Sequence, residues 1–216
     1  MKRVIFYCVM LVVSFASCKK DDSPDSAKNS YFPLTNGSYW IYESYVVDSS
    51  GNEVLINNDI DSIVITGDTT INNKVYKVKS CFNYGHPTNK EFYRDSMGYI
   101  LKYDDGLGER KIFSPTDFTN VLCSYDLPDV GCHLSCKMQK VTEPVSVKAG
   151  TYTAVLNGNC TVAGLGEYQA NSFPDVKYYY AQGTGLVMNT LYYMSGWINL
   201  KSYTRVELIR YKIYPD

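Results

Sequence analysis

From Tyr31 to the end of the chain, no segment holds an amphipathic helical period for three turns. Apolar residues recur instead at every second position, in short runs bounded by Gly, Asn, Asp and Pro. Lys74-Val75-Tyr76-Lys77-Val78-Lys79 is one such run, and Val206-Glu207-Leu208-Ile209-Arg210-Tyr211-Lys212-Ile213 is another. Successive side chains of an extended chain point to opposite faces, so this alternation predicts strands with one buried and one wet face. Tyr, Val, Ile and Thr, which fit a pleated surface, fill the runs. Asp48-Ser49-Ser50-Gly51-Asn52, Asn72-Asn73, Asp95-Ser96-Met97-Gly98, Asp104-Asp105-Gly106 and Ala149-Gly150 read as the turns between them. The expectation is one mainly β domain over residues 31–216, a single antiparallel, strongly curled meander sheet, half-barrel or barrel-like, with little helix, although a sandwich would satisfy the same pattern. Asp61 to Gly67 is expected to be a short strand. Ser114 to Cys136 breaks the rhythm with Pro115, Pro128 and three cysteines, and is expected to be a long loop holding a short helical turn.

The first 30 residues have a different character. Lys2 and Arg3 precede an unbroken apolar run from Val4 to Val13, followed by the small residues Ala16 and Ser17, which is the pattern of a secretory signal peptide over residues 1–17. The run is too short for a stable membrane span. Phe15-Ala16-Ser17-Cys18 resembles the lipobox of bacterial lipoproteins, although that family prefers Leu where this chain has Phe15. The resemblance implies that Cys18 is lipidated and anchors the chain in a membrane. Lys20, Asp21 and Asp22 resemble the lipoprotein export signal of Gram-negative bacteria, which implies an outer-membrane location facing the cell exterior. Lys19 to Ser30 contain no large apolar residue, so residues 18–30 read as a lipidated flexible tether. A dozen extended residues reach up to ~40 Å.

Charge narrows the partners. The chain carries 21 basic and 22 acidic residues. Removing residues 1–17 takes Lys2 and Arg3 and no carboxylate, leaving 19 against 22. Such a balance offers no electrostatic footprint for nucleic acid, and membrane association is expected through the lipid anchor alone.

Chemistry-bearing motifs are scarce. A nucleophile elbow, a His-Glu-x-x-His helix, a Walker loop and a dinucleotide fingerprint are all missing. Gly106-x-Gly108, Gly164-x-Gly166 and Gly183-x-Gly185 lack the third glycine and the following helix, and read as turns. Only His86 and His133 could serve histidine-based catalysis, and Asp104-Asp105 falls on a turn signal. No catalytic residues, cofactor or metal are assigned, and an enzyme is not expected.

Seven cysteines are present. Cys8 leaves with the signal peptide and Cys18 is the anchor, so Cys81, Cys123, Cys132, Cys136 and Cys160 remain, an odd number that permits at most two bridges. Cys123, Cys132, Cys136 and Cys160 are the disulfide candidates. Cys132-His133-Leu134-Ser135-Cys136 has donors that suit zinc but lacks a second paired motif, and an oxidising compartment favours disulfides over a metal clip.

Tyr31-Phe32-Pro33-Leu34 leading through Asn36-Gly37 to Trp40-Ile41-Tyr42 resembles the opening of families of secreted bacterial lipoproteins to which little activity has been assigned. Tyr180-Ala181-Gln182-Gly183-Thr184-Gly185-Leu186-Val187 resembles a turn near the end of the same families. The 21 tyrosines, with Trp40 and Trp197, raise a second question. Exposed rings stack on sugars and anchor interfaces, so Trp40, Trp197, Tyr179 and Tyr193 are the ligand-stacking candidates. Strand formation alone accounts equally for abundant Tyr. Asp-Ser-Ala, Asp-Ser-Ile and Asp-Ser-Met resemble the acceptor of a bacterial O-glycosylation system, making Ser26, Ser62 and Ser96 candidates, although Asp-Ser also starts turns. Two functions follow as expectations. One is a surface-exposed outer-membrane lipoprotein that binds a glycan, peptide or lipid. The other is a structural or protein-interaction component of the cell envelope, with a hydrolase as a remoter third. An aromatic-lined concavity would favour the first and a filled interior the second.

Overall fold

A computed structural model describes residues 29–128, 131–166, 173–191 and 202–215, without the side chains of 57–59. Fourteen strands occur among the described residues: β1 (Tyr39–Val47), β2 (Glu53–Ile71), β3 (Lys74–Asn83), β4 (His86–Ser96), β5 (Tyr99–Asp104), β6 (Gly108–Phe113), β7 (Val121–Leu127), β8 (Cys132–Lys140), β9 (Val145–Val147), β10 (Gly150–Tyr152), β11 (Val155–Gly164), β12 (Val176–Ala181), β13 (Gly185–Leu191) and β14 (Tyr203–Lys212). Twelve form one sheet in the order β6-β5-β4-β3-β2-β1-β14-β13-β12-β11-β8-β7, and β9 and β10 form a separate hairpin. Every pairing is antiparallel. No described helix is long and apolar enough to cross a membrane.

The sheet curls until its two edges meet. β6 and β7 exchange no ladder hydrogen bonds, yet the Arg110 guanidinium lies 4.1 Å over the Tyr125 ring across the seam. The single, nearly closed antiparallel sheet agrees with the sequence expectation. Curling also covers two edges that would otherwise offer unpaired backbone groups to other chains.

Two segments differ from that expectation. The stretch Ser114 to Cys136 is largely the β7–β8 hairpin rather than a loop. Cys132, Leu134, Cys136 and Met138 are buried while the residues between them are not, a period of two in which cysteine stands in for an aliphatic residue. The short strand expected at Asp61 to Gly67 belongs to the 19-residue β2. β1 pairs with Glu53 to Leu55 and again with Ile60 to Val64, with a register break between, and β3 pairs with Asp61 to Ile71, so the extended course of β2 runs past the short segment expected. Gly67 sits at an irregularity between Ile65 and Gly67, where an inserted residue bends the strand. The Asn72-Asn73 turn forms as expected, with φ of 49° and 60°, the left-handed pair that Asn tolerates in a two-residue hairpin.

One end of the curled sheet is closed by the segment entering β1. Phe32 packs its ring 5.3 Å from Tyr93, 6.0 Å from Phe113 and 5.7 Å from Tyr180, inside a cluster that includes Ile100, Leu122, Met138 and Leu156. The turn before β13 receives this plug. Trp40 Nε1 donates to the Thr184 carbonyl at 2.6 Å, the Gly183 N–H donates to the Ser30 carbonyl at 2.8 Å, and the Tyr42 hydroxyl donates to the Leu186 carbonyl at 2.9 Å. Gly185 has φ of +96°, and a Cβ there would lie 3.2 Å from Pro33 Cδ and 3.3 Å from Trp40 Nε1. Only glycine meets both demands. The two sequence stretches with family resemblance, 144 residues apart at Trp40 and Thr184, are therefore halves of one contact. The β9–β10 hairpin docks nearby, its Ala149 N–H donating to the Leu208 carbonyl at 3.0 Å.

Candidate functional site

The interior is not filled. A cavity of about 410 Å³ is lined by residues from all twelve strands of the sheet. Toward the closed end its walls are Phe32, Trp40, Tyr180, Leu186 and Met138. Register places Tyr178, Asn189 and Val206 in one row across β12, β13 and β14, farther from that end. Asp61, Cys81, Tyr125 and Leu191 line the far end. A second hollow, about 590 Å³, lies outside the closed end, where Lys140 is its one charged lining residue.

A charged band crosses the interior wall of β3 to β6. Pairing sets Lys79 beside Glu91 and Lys102 beside Arg110. Glu91 lies 2.7 Å from both Lys79 Nζ and Lys102 Nζ, and it accepts the Tyr93 hydroxyl at 2.8 Å. Burial alone would raise the Glu91 carboxyl, but the two lysines hold its pKa down to about 2. Asp104 pairs with Arg110 and lies 3.6 Å from Lys102. Two polar atoms of the lining, Arg110 Nε and Asn189 Oδ1, are buried without a hydrogen-bond partner among the described residues. Burial pushes the Tyr178 hydroxyl up to about 12 and raises those of Tyr42, Tyr93 and Tyr180 well above their ordinary value, so these rings stay neutral. The site is amphipathic, with aromatic and aliphatic walls interrupted by one ionic band.

The residues singled out in the sequence fall in different places. Trp40 does line the cavity, but it is 5% exposed with its N–H committed, so it is part of the floor rather than an open stacking platform. Tyr179 pairs with Asn157 and Met188 on the face of β12 opposite Tyr178 and Tyr180, and it is not among the cavity walls. Trp197, Tyr193, Cys18, Lys20, Asp21, Asp22 and Ser26 lie outside the described residues. Ser62 is a partly buried residue in mid-strand, paired with Ile41 and Phe82, and Ser96 ends β4 before the Met97-Gly98 turn.

Cys136 and Cys160, directly paired across β8 and β11, form a disulfide, whereas Cys123 and Cys132 are free, as is Cys81. The zinc-clip alternative fails on alternation. Cys132 and Cys136 are buried together, and the intervening His133 points to the opposite face. No group of three or more metal-ligating side chains occurs among the described residues.

His133 instead completes a chain that sequence reasoning missed. Its Nε2 lies 2.8 Å from Ser124 Oγ and its Nδ1 lies 2.6 Å from Asp126 Oδ1. The order matches a nucleophile, base and orienting acid. The surroundings do not, because the Asp126 side chain is 63% exposed and none of the three residues lines the cavity. Relays of this kind gain their strength in water-excluded sites. The chain is a hydrogen-bonded row across the outer face of the β7–β8 hairpin.

Fold and site define a nearly closed antiparallel β-barrel around an amphipathic cavity. No family model matches the sequence, and no curated protein matches it significantly. Two solved structures are similar to it. One is a protein provisionally described as a lipoprotein from Parabacteroides distasonis, with 18% identity and a TM-score of 0.46 over 85% of this chain and 99% of that one. The other is a protein provisionally described as exported, with a YmcC-like fold, from Bacteroides fragilis, with 13% identity and a TM-score of 0.49 over 84% and 98%.

Proposed function

We propose that this chain is a lipid-anchored outer-membrane protein, facing the cell exterior, that holds a small amphipathic molecule inside its curled sheet. The observation that carries the binding half is the cavity of about 410 Å³ where a scaffold would have packed side chains. That volume falls in the range of roughly 300–1,000 Å³ occupied by small-molecule sites, and mostly apolar walls with a few convergent polar groups are their usual lining. Native mass spectrometry of protein purified from its own cell envelope tests this reading. The expected result is an added mass that disappears on denaturation. A bare lipoprotein mass, together with no binding of any amphiphile to the purified protein, would instead favour the structural reading.

The anchor half rests on Cys18 and on Lys20, Asp21 and Asp22. Cys18→Ala is expected to move the protein from the membrane fraction to the soluble fraction. Protease added to intact cells is expected to remove the wild-type domain, and protection until the outer membrane is broken would place it inside.

A further inference from the structure

The ionic band inside the barrel is not electrically balanced. Lys79, Lys102 and Arg110 are three cations, and among the described residues the carboxylates bonded to them are two, Glu91 and Asp104; Lys137 of β8 is a further cation of the lining. The other acidic residue lining the cavity is Asp61, whose carboxylate accepts from the Asn83 amide at 2.9 Å. It lies four residues along β2 from Ile65, the partner of Lys79, or about 13 Å away. Glu91 is fully engaged by two lysines and a tyrosine hydroxyl. The surplus charge therefore falls on the Lys102 and Arg110 side, where Arg110 Nε is buried with no acceptor among the described residues. An uncompensated cation and an unpaired donor both disfavour the empty state on side chains as far buried as those of Lys102 and Arg110, 22% and 15% exposed.

We propose that the molecule held in this cavity is an amphipathic monoanion, with a carboxylate or similar singly charged head beside Lys102 and Arg110 and an apolar body against Trp40, Tyr180 and Leu186. This rests on the reading of the interior as a binding site and adds the chemistry of its ligand. Arg110 suits the role, since its guanidinium is already held by Asp104 on one side and by the Tyr125 ring on another, leaving Nε as the fixed donor. A cationic amphiphile would meet the surplus positive charge, and a neutral one would leave it unanswered.

Isothermal titration of the full folded domain with decanoate, 1-decanol and decylammonium at pH 7 tests the proposal. Decanoate is expected to bind at least roughly tenfold more tightly than 1-decanol, the ratio that one hydrogen bond to a charged group supplies, with decylammonium weakest. Arg110→Gln is expected to bring decanoate and 1-decanol to within about threefold of each other while 1-decanol affinity is retained. Equal affinities of decanoate and 1-decanol for the wild-type protein would overturn the anion assignment and leave the cavity reading standing. Binding of none of the three would overturn both. An anion preference that survives in a folded Arg110→Gln protein would overturn the placement of the head. If that variant does not fold, the wild-type ratio still decides the charge of the ligand, and its decline with added salt tests the ionic contact.

Discussion

Glu91 shows how one side chain ties stability to the site. Its pKa in the folded protein, about 2, lies below its ordinary value of 4.5. The associated stabilisation is present above pH 4.5 and is lost as the pH falls through 2, and the difference corresponds to roughly 3 kcal/mol. Urea unfolding should therefore show stability declining between about pH 5 and pH 2. Glu91→Gln is expected to cost roughly 3 kcal/mol or more at pH 7, because Lys79 and Lys102 lose their counter-charge, and to flatten the acid limb of the profile. Two glycines give opposite expectations for one substitution. Gly185→Ala forces a Cβ onto a φ of +96° and within 3.2 Å of Pro33 Cδ, and is expected to cost about 2 kcal/mol. Gly158 has no positive φ, and a Cβ there would make ordinary contacts at 3.6–3.8 Å with Tyr180, Tyr178 and Met138. Gly158→Ala is expected to stabilise by about 0.5 kcal/mol through the unfolded state. Thermal and urea denaturation of the pair read both signs.

At the scale of elements, the disulfide joins strands that are adjacent in the sheet but separated by 24 residues in sequence. Removing it as Cys136→Ser with Cys160→Ser is expected to cost about 3 kcal/mol in urea unfolding. The double variant is needed because Cys123 pairs with Cys136 from the other side, so loss of Cys160 alone would leave two thiols side by side. Burial raises the thiols of Cys81, Cys123 and Cys132, and all three are expected to react with thiol reagents far faster after unfolding than before. Four cysteines were named as bridge candidates, and sequence could not pick the pair, because the choice depends on strand order. The same limit explains the β7–β8 hairpin. Its alternation becomes visible only when cysteine is read as apolar, and Pro115 and Pro128 obscured it by flanking the strands. Local turn chemistry, in contrast, was legible at Asn72-Asn73, Met97-Gly98 and Asp48 to Asn52, where the Asp48 carboxylate accepts from the Ser50 and Asn52 N–H groups at 2.8 and 2.9 Å.

At the scale of the whole molecule, period-two patterning without a long helix made the antiparallel β class readable, whereas a sandwich and a curled sheet fit the same pattern and only the strand order separates them. The site was not readable, and β3 shows why. The alternation of β3 predicts one wet face, yet Lys79 lines the interior, while Tyr76 is buried on the opposite face beneath Arg94 and beside Tyr103. Alternation separates two faces without saying which one turns inward, and a barrel with a charged interior inverts the usual rule. Trp40 was legible as important but not as a floor residue, since its partner Thr184 lies 144 residues away, in the turn between β12 and β13. The most direct measurement is a crystal structure of the protein purified from its native envelope without denaturation. The account predicts electron density between Trp40 and Arg110 that no side chain explains, with its polar end at Arg110. An interior filled by rearranged side chains, with Arg110 turned to solvent, would contradict it.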